Sequence, residues 1–320
     1  MRAIAKAQPN IALIKYWGKR DSIRNLPAVG SISVTLDELF TTMDVELDGA
    51  LDHDELRVNG RRAQSLLPRV SRCLDSVLGA GRLRARVISE SNFPIAAGLA
   101  SSASSFAALV VAACSAGGEK RTTDELARLA GQASGSAARS LYAGFVELRN
   151  DGDGIAVSTI LGGEAWPLRI VAAVTSTGPK PISSGEAMEA SRKTSPFYSR
   201  WIDEQDMDLS TARDAIAIRD FGKLASVAEH NCLKMHSVMW TSRPPVVYWN
   251  ASTLACLERV RELRTDGVSA FFTIDAGPQV KVICLPGDEP QVVAALSDIG
   301  GVESVLASGI GAGAALVAGE

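Results

Sequence analysis

The chain has 320 residues, 46% hydrophobic and 22% charged, which suits a folded, water-facing protein but exceeds the roughly 250–300 residues at which single cores stop growing. Its formal net charge of −3 offers no basic field to nucleic acid or an anionic membrane, so any anionic ligand must be met by a local cluster of Lys, Arg and backbone N–H groups. Cys73, Cys114, Cys232, Cys256 and Cys284 are scattered and odd in number, with neither a disulfide framework nor metal-ligand spacing. The N-terminus has no apolar signal-peptide core, and the longest nearly continuous apolar run, 106–114, falls short of the ~20 residues a membrane span needs. The expectation is a soluble cytoplasmic protein with no membrane or nucleic-acid partner.

In chain order, residues 32–36 and 42–47 alternate apolar and polar as strands do, 66–78 carry apolar residues at helical spacing, and 82–89 read as a strand. Residues 91–105 read as a strand end, a small-residue loop and the start of an Ala-rich helix running to about 114, which Gly117-Gly118 stops. A helix over 123–133 and a short buried strand over 171–175 follow. The chain breaks around Gly178-Pro179-Lys180-Pro181, which sets expected domains at 1–177 and 178–320. Beyond it the spacing predicts helices over 184–192, 196–202, 209–218, 221–238 and 251–265, strands over 270–274 and 280–285, and a helix over 289–296. The glycines of 309–313 read as a tightly packed terminal strand, since no helix start follows them. Strands and helices mixed without regular βαβ alternation indicate α+β.

Four stretches carry candidate chemistry. Pro94-Ile95-Ala96-Ala97-Gly98-Leu99-Ala100-Ser101-Ser102 combines small side chains, a glycine, a helix start and two hydroxyls, which together suit a phosphate group. It is neither a Walker A loop nor a dinucleotide-binding GxGxxG, and close helix–sheet packing would give the same composition. Asn10 to Arg20 interleaves Lys15, Lys19 and Arg20 with Tyr16 and Trp17 on an apolar segment, which fits a surface hairpin or an anion site. Within 134–147 Arg139 stands among small residues, placed for a bidentate carboxylate or phosphate contact or for a structural ion pair. Asp275 ends the apolar run 271–274 before Ala276-Gly277-Pro278, where an Asp more often caps the turn than does chemistry. His53, His230 and His236 form no ligand or triad spacing.

Together these motifs resemble those of the GHMP kinase superfamily, and most closely its mevalonate diphosphate decarboxylase branch. The carriers are Asn92-Phe93-Pro94-x-Ala96-Ala97-Gly98-Leu99-Ala100-Ser101-Ser102-Ala103, Asn10-x-Ala12-x-x-Lys15-Tyr16-Trp17-Gly18-Lys19, the block from Ser134 to Glu147, and Thr273-x-Asp275-Ala276-Gly277-Pro278-x-Val280-Lys281. The resemblance runs from Asn10 to Gly309 and implies a GHMP-kinase-like two-lobed fold with the active site between the lobes. It also implies ATP as co-substrate with Mg2+, a small anionic metabolite as substrate, and a homodimer.

The roles it implies are these. Asp275 orients or deprotonates the substrate's 3-hydroxyl, Lys15 keeps Asp275 ionised, and Arg139 with Asn10 clamps the substrate carboxylate. Tyr16, Lys19, Ser134, Ser136 and Ser184 hold the substrate, mainly its phosphate end. Ala97, Gly98, Leu99, Ala100, Ser101 and Ser102 cradle ATP, with Ser89 added. The implied reaction is ATP-dependent decarboxylation of mevalonate 5-diphosphate to isopentenyl diphosphate. A phosphomevalonate decarboxylase, a mevalonate 3-kinase and a non-catalytic metabolite sensor are the alternatives. Departures from the branch pattern fall at Val29-Gly30, where an amide or carboxylate is usual, at Ile95, and at Pro181 beside Lys180.

Overall fold

A strand that alternates apolar and polar residues buries one face and leaves the other half open, and β6 (Thr41–Asp48) does so along its whole length. The structure, a computed structural model, describes residues 1–93, 101–178 and 180–317. Met43, Val45 and Leu47 of β6 are buried in one core with α2 (Ser101–Ala116). That helix is Ala-rich because it is enclosed, by the sheet, by α1 (Leu67–Leu78) and by α3 (Thr123–Ala133). Larger side chains would not fit at Ala107, Ala108, Ala112 and Ala113, all fully buried.

The sheet under α2 has six strands in the order β16 (Ala315–Leu316), β1 (Arg2–Ala7), β6, β9 (Arg84–Ser91), β7 (Glu55–Val58) and β8 (Arg61–Arg62). A second, four-stranded sheet runs β11 (Gly154–Leu161), β10 (Phe145–Asp151), β5 (Ser31–Thr35) and β2 (Asn10–Ile14), with β3 (Lys19–Asp21) and β4 (Leu26–Pro27) as a small ribbon beside it in sequence. A third holds β13 (Ala270–Ile274), β14 (Val280–Cys284), β12 (Arg169–Val174) and β15 (Ser304–Ser308), all antiparallel. With it go α4 (Ser184–Thr194), α5 (Tyr198–Ile218), α6 (Phe221–Trp240), α7 (Ala251–Thr265) and α8 (Glu289–Ser297). The fold is α+β and two-lobed. A shared apolar cluster joins the lobes, with Ile11 and Leu13 of β2 meeting Leu209 and Ile216 of α5, Leu224 of α6 and Phe271 of β13.

Most predicted elements lie within two or three residues of the observed ones. α3 spans 123–133 as expected, and its Thr122 N-cap forms a capping box with Glu125. Three features differ. The two helices expected over 196–202 and 209–218 are one, α5, because the residues between them continue it, with Gln205 and Asp208 buried and hydrogen-bonded. The β10–β11 hairpin is not among the expected elements. The glycines of 309–313 form a single bridge, Leu36 to Ile310, and not a strand, although they are tightly packed. A Cβ at Gly311 would lie 2.1 Å from the Leu36 carbonyl oxygen. β12 precedes the expected break after 177 but pairs with β14 and β15, and β16 returns to β1. Among the described residues no helix is long and apolar enough to cross a membrane.

Candidate active site

β2 is buried throughout, and the chain leaves it at Lys15, whose side chain is only 1% exposed. An ammonium placed there needs partners. Its Nζ donates to Asp275 Oδ1 at 2.7 Å and to the Ala12 carbonyl at 2.8 Å. Asp275 sits at the end of β13, and from the neighbouring β14 the fully buried Lys281 brings its Nζ to 3.4 Å from Asp275 Oδ2. Each oxygen of one carboxylate thus faces its own ammonium. Burial alone would raise the Asp275 carboxyl, but Lys15 and Lys281 outweigh it and hold it well below the usual carboxylate range. Burial pulls Lys281 down despite its partner.

Arg139 lies in a short helical turn, Ala137–Leu141, after α3 and is 1% exposed. Its Nε donates to Ser33 Oγ at 2.9 Å, Nη2 to Asn10 Oδ1 at 3.1 Å, and Nη1 to Ser31 Oγ. Ser31 and Ser33 can both reach it because alternate residues of β5 share a face. Asn10 is fixed in turn, donating to the Ser136 carbonyl at 2.9 Å and Ser140 Oγ at 2.8 Å. All these acceptors are neutral, and among the described residues Arg139 meets no carboxylate within 4.0 Å. Burial draws its guanidinium down to about 10. Of five N–H groups, three are engaged, which leaves one on each terminal nitrogen, the pair a carboxylate takes bidentately.

Among the described residues the buried Tyr16 hydroxyl has no hydrogen-bond partner, and burial pushes it up to about 12. Its ring lies against Gly135, where a Cβ would come within 2.6 Å of the hydroxyl. Gly135→Ala is therefore expected to displace Tyr16 and raise the KM for substrate about tenfold, with nucleotide KM little changed; steady-state kinetics in both substrates would show it. Burial and the nearby Arg69 lower the half-buried Lys19 ammonium.

These groups line one cavity of about 810 Å³ between the lobes. Asn10, Lys15, Tyr16, Lys19, Ser102, Ser134, Ser136, Arg139, Ser184 and Asp275 all reach it. Ser102 and Ser134 join across it, Oγ to Oγ at 3.3 Å, and α4 opens onto it through Ser183, Ser184 and Gly185. Two expected residues do not come to the cavity. Ser89 is buried mid-sheet between Met43 and Val58, and Ser101 begins α2 outside the lining. Ala97, Gly98, Leu99 and Ala100 lie outside the described residues.

The sequence reading missed Arg69, Arg72 and Ser76, which α1 presents to the cavity, and Lys281 as second partner of Asp275. The signal on α1 was a polar stripe at i, i+3 and i+7 on a helix read for its apolar face alone. Among the departures, Val29 and Gly30 do not line the cavity. Gly30 is set by packing, since a Cβ there would meet Leu209 Cδ1 at 2.8 Å and the Leu148 carbonyl at 2.9 Å. Lys180 does line it, and burial lowers its ammonium. Asp275 is the sole carboxylate among the described lining residues, against Lys15, Lys19, Arg24, Arg69, Arg72, Arg139 and Lys180. No group of three or more His, Cys, Asp and Glu side chains able to hold a metal occurs among the described residues.

A two-lobed α+β fold with a strongly basic interlobe cleft defines a GHMP-like protein built for a polyanionic small molecule. The family model for the diphosphomevalonate decarboxylase-like N-terminal domain matches residues 7–159, and that for the mevalonate 5-diphosphate decarboxylase C-terminal domain matches 170–309. The chain belongs to the diphosphomevalonate decarboxylase family. It is 34% identical over 315 residues to the diphosphomevalonate decarboxylase of Candida albicans, covering 92% of this chain and 87% of the relative. The crystal structure of mevalonate diphosphate decarboxylase from Staphylococcus aureus superposes with a TM-score of 0.93 at 34% identity, covering 99% of this chain and 98% of that one. MDDEF in complex with MVAPP, AMPPCP and magnesium gives 0.90 at 33% identity, over 100% of this chain and 99% of that one.

Proposed function

We propose that this chain catalyses the ATP-dependent decarboxylation of mevalonate 5-diphosphate to isopentenyl diphosphate, releasing ADP, phosphate and CO2. The observation that carries this reading is the buried Lys15–Asp275–Lys281 group beside Arg139, a cation whose neighbours are neutral oxygens, in an otherwise basic cleft. A β-hydroxy acid loses CO2 poorly while hydroxide is the leaving group. Transfer of the γ-phosphoryl to the 3-hydroxyl makes phosphate the leaving group; C3–O cleavage then builds positive charge at C3, and the electrons of the C–CO2 bond form the alkene.

Asp275 accepts the hydrogen bond of the 3-hydroxyl and aims its oxygen at the phosphoryl group. Between two ammonium groups it is a weak base, so it takes the proton only as the forming P–O bond makes the hydroxyl acidic. Lys15 stays on the other oxygen and offsets charge on the transferring group. Arg139 holds the substrate carboxylate on its two remaining N–H groups, in the charged form that must lose CO2. Ser102 would offer magnesium a hydroxyl; with no carboxylate cage among the described residues, the ion would be carried mainly by nucleotide phosphates. When bound, magnesium neutralises phosphate charge. Arg69, Arg72 and Lys19 supply further positive charge for the phosphates of substrate and nucleotide. A cytoplasmic location fits five unpaired, buried cysteines.

The test is a coupled assay in which the protein with MgATP is offered mevalonate and its 5-phosphate, 5-diphosphate and 3,5-bisphosphate, with ADP and CO2 both measured. Equal ADP and CO2 from the 5-diphosphate supports the reading; ADP without CO2 overturns it in favour of a kinase. In the same assay Lys19→Ala is expected to raise the KM for the 5-diphosphate roughly 10- to 150-fold, because a charge-assisted phosphate contact is worth about 1.5–3 kcal/mol in ground and transition states alike. A fall in kcat alone would place Lys19 on the nucleotide.

A further inference from the structure

Lys15 and Asp275 meet across the two lobes, and their 2.7 Å contact depends on where two distant pieces of main chain are held. Helix α6 touches both pieces. Asn231 Oδ1 accepts from the Lys15 backbone N–H at 2.7 Å, while its Nδ2 donates to Gln205 Oε1 at 2.9 Å and Asp208 Oδ2 at 2.7 Å. Gln205 Nε2 donates in turn to the Lys15 carbonyl at 2.8 Å and the Gly30 carbonyl at 3.1 Å. Lys234 Nζ closes the network on Asp208 at 2.7 Å. The next residue of α6, Cys232, accepts from the Ile274 N–H at 3.2 Å, and one turn later His236 Nε2 lies 3.2 Å from the Ile274 carbonyl oxygen. Ile274 immediately precedes Asp275.

We infer that Asn231 is a positioning residue, which with Gln205 fixes the main chain of Lys15 on the same helix that fixes the approach to Asp275, and so sets the register of the reacting pair. The inference rests on the proposed reaction. Apolar side chains would join the lobes at lower desolvation cost, as they do in the adjoining cluster of Ile11, Leu209 and Phe271. Here Asn231 and Gln205, both fully buried, engage both backbone groups of a single residue, Lys15. A satisfied polar network specifies a position where an apolar contact tolerates sliding. Position matters at this point, since a misplacement of about 1 Å can cost ~10²-fold in rate.

The test is a double-mutant cycle on the full chain with MgATP and mevalonate 5-diphosphate. Asn231→Ala is expected to lower kcat about 10- to 100-fold per folded molecule, with nucleotide KM within about twofold. In the Lys15→Met background the same substitution should change kcat less than about twofold, because the group it positions is gone. An equal loss in both backgrounds, or an unchanged kcat in the first, overturns the proposal and leaves Asn231 a purely structural residue. Should Asn231→Ala not fold, Gln205→Met, which keeps the volume and removes the donor to Lys15, enters the same cycle with the same expectation. If the wild type turns over none of the four mevalonates, the reaction reading fails by itself. Positioning is then read without turnover, from the Lys15 ammonium NMR signal, slow to exchange while buried on Asp275. That signal broadens in Asn231→Ala if the inference holds and is unchanged if it does not.

Discussion

Asp275→Asn is expected to lower kcat at least ~10³-fold while leaving nucleotide KM within about twofold. The amide keeps the shape of the carboxylate but neither its charge nor its ability to take the hydroxyl proton. The structure adds a stability cost. Lys15 is 1% exposed and Lys281 0%, and the substitution removes the negative charge that faces both ammonium groups. Removing one partner of a buried pair costs about 3–5 kcal/mol, and the 24% exposure of Asp275 places this case at the low end.

The pH dependence of that cost has a definite sign. Because the folded Asp275 carboxyl is held below its unfolded value of about 3.9, its contribution is fully present above that pH and is lost as pH falls through the folded value. The gap in Tm between wild type and variant should therefore be widest near neutrality and narrow below about pH 4. Retention of most decarboxylase activity by Asp275→Asn would remove Asp275 from the chemistry, and a Tm gap constant with pH would mean the carboxylate is not held by the lysines.

Arg139→Lys should lower kcat/KM by about 10²–10⁴, through both constants. A lysine keeps one charge but cannot present two parallel N–H groups to a carboxylate. Losing two charge-assisted hydrogen bonds at about 1.5–3 kcal/mol each gives that range. KM rises because the substrate carboxylate loses its clamp, and kcat falls because the group that departs as CO2 is no longer aligned. Ser31, Ser33 and Asn10 would also lose a common donor, so Tm should drop. A variant with lower Tm but wild-type kcat/KM would make Arg139 a structural residue.

Much of the site was readable because its residues stand in short, unusual runs. Lys15, Tyr16 and Lys19 lie within five positions, Ser134, Ser136 and Arg139 within six, and each run enters the cavity as a unit. Arg69, Arg72 and Ser76 escaped notice because on a helix a basic stripe is ordinarily a solvated face; only the packing of α1 beside α2 and α3 turns it to the cleft. Lys281 stands in the same motif as Asp275, six residues on, and nothing in that spacing gives it a role. Its closeness to Oδ2 comes from strand pairing that sets Thr273 opposite Lys281. Ser89, added to the ATP cradle on the resemblance, is held mid-sheet by the pairing of β9 with β6 and β7.

By itself the sequence determined the secondary structure of the helical half and the α+β class, because periodicity and local composition are properties of neighbours in the chain; Lys15, Arg139 and Asp275 became candidates through the family resemblance of their motifs. The tertiary structure decided which charges meet. Lys15 and Asp275 are 260 positions apart, and Lys15 and Asn231 are 216 apart. No spacing rule acts over such distances. They are brought together by β-sheet register and by packing of the shared apolar cluster between the lobes, where Lys15 and Lys281 hold the Asp275 carboxyl down against its burial and burial lowers the Arg139 guanidinium.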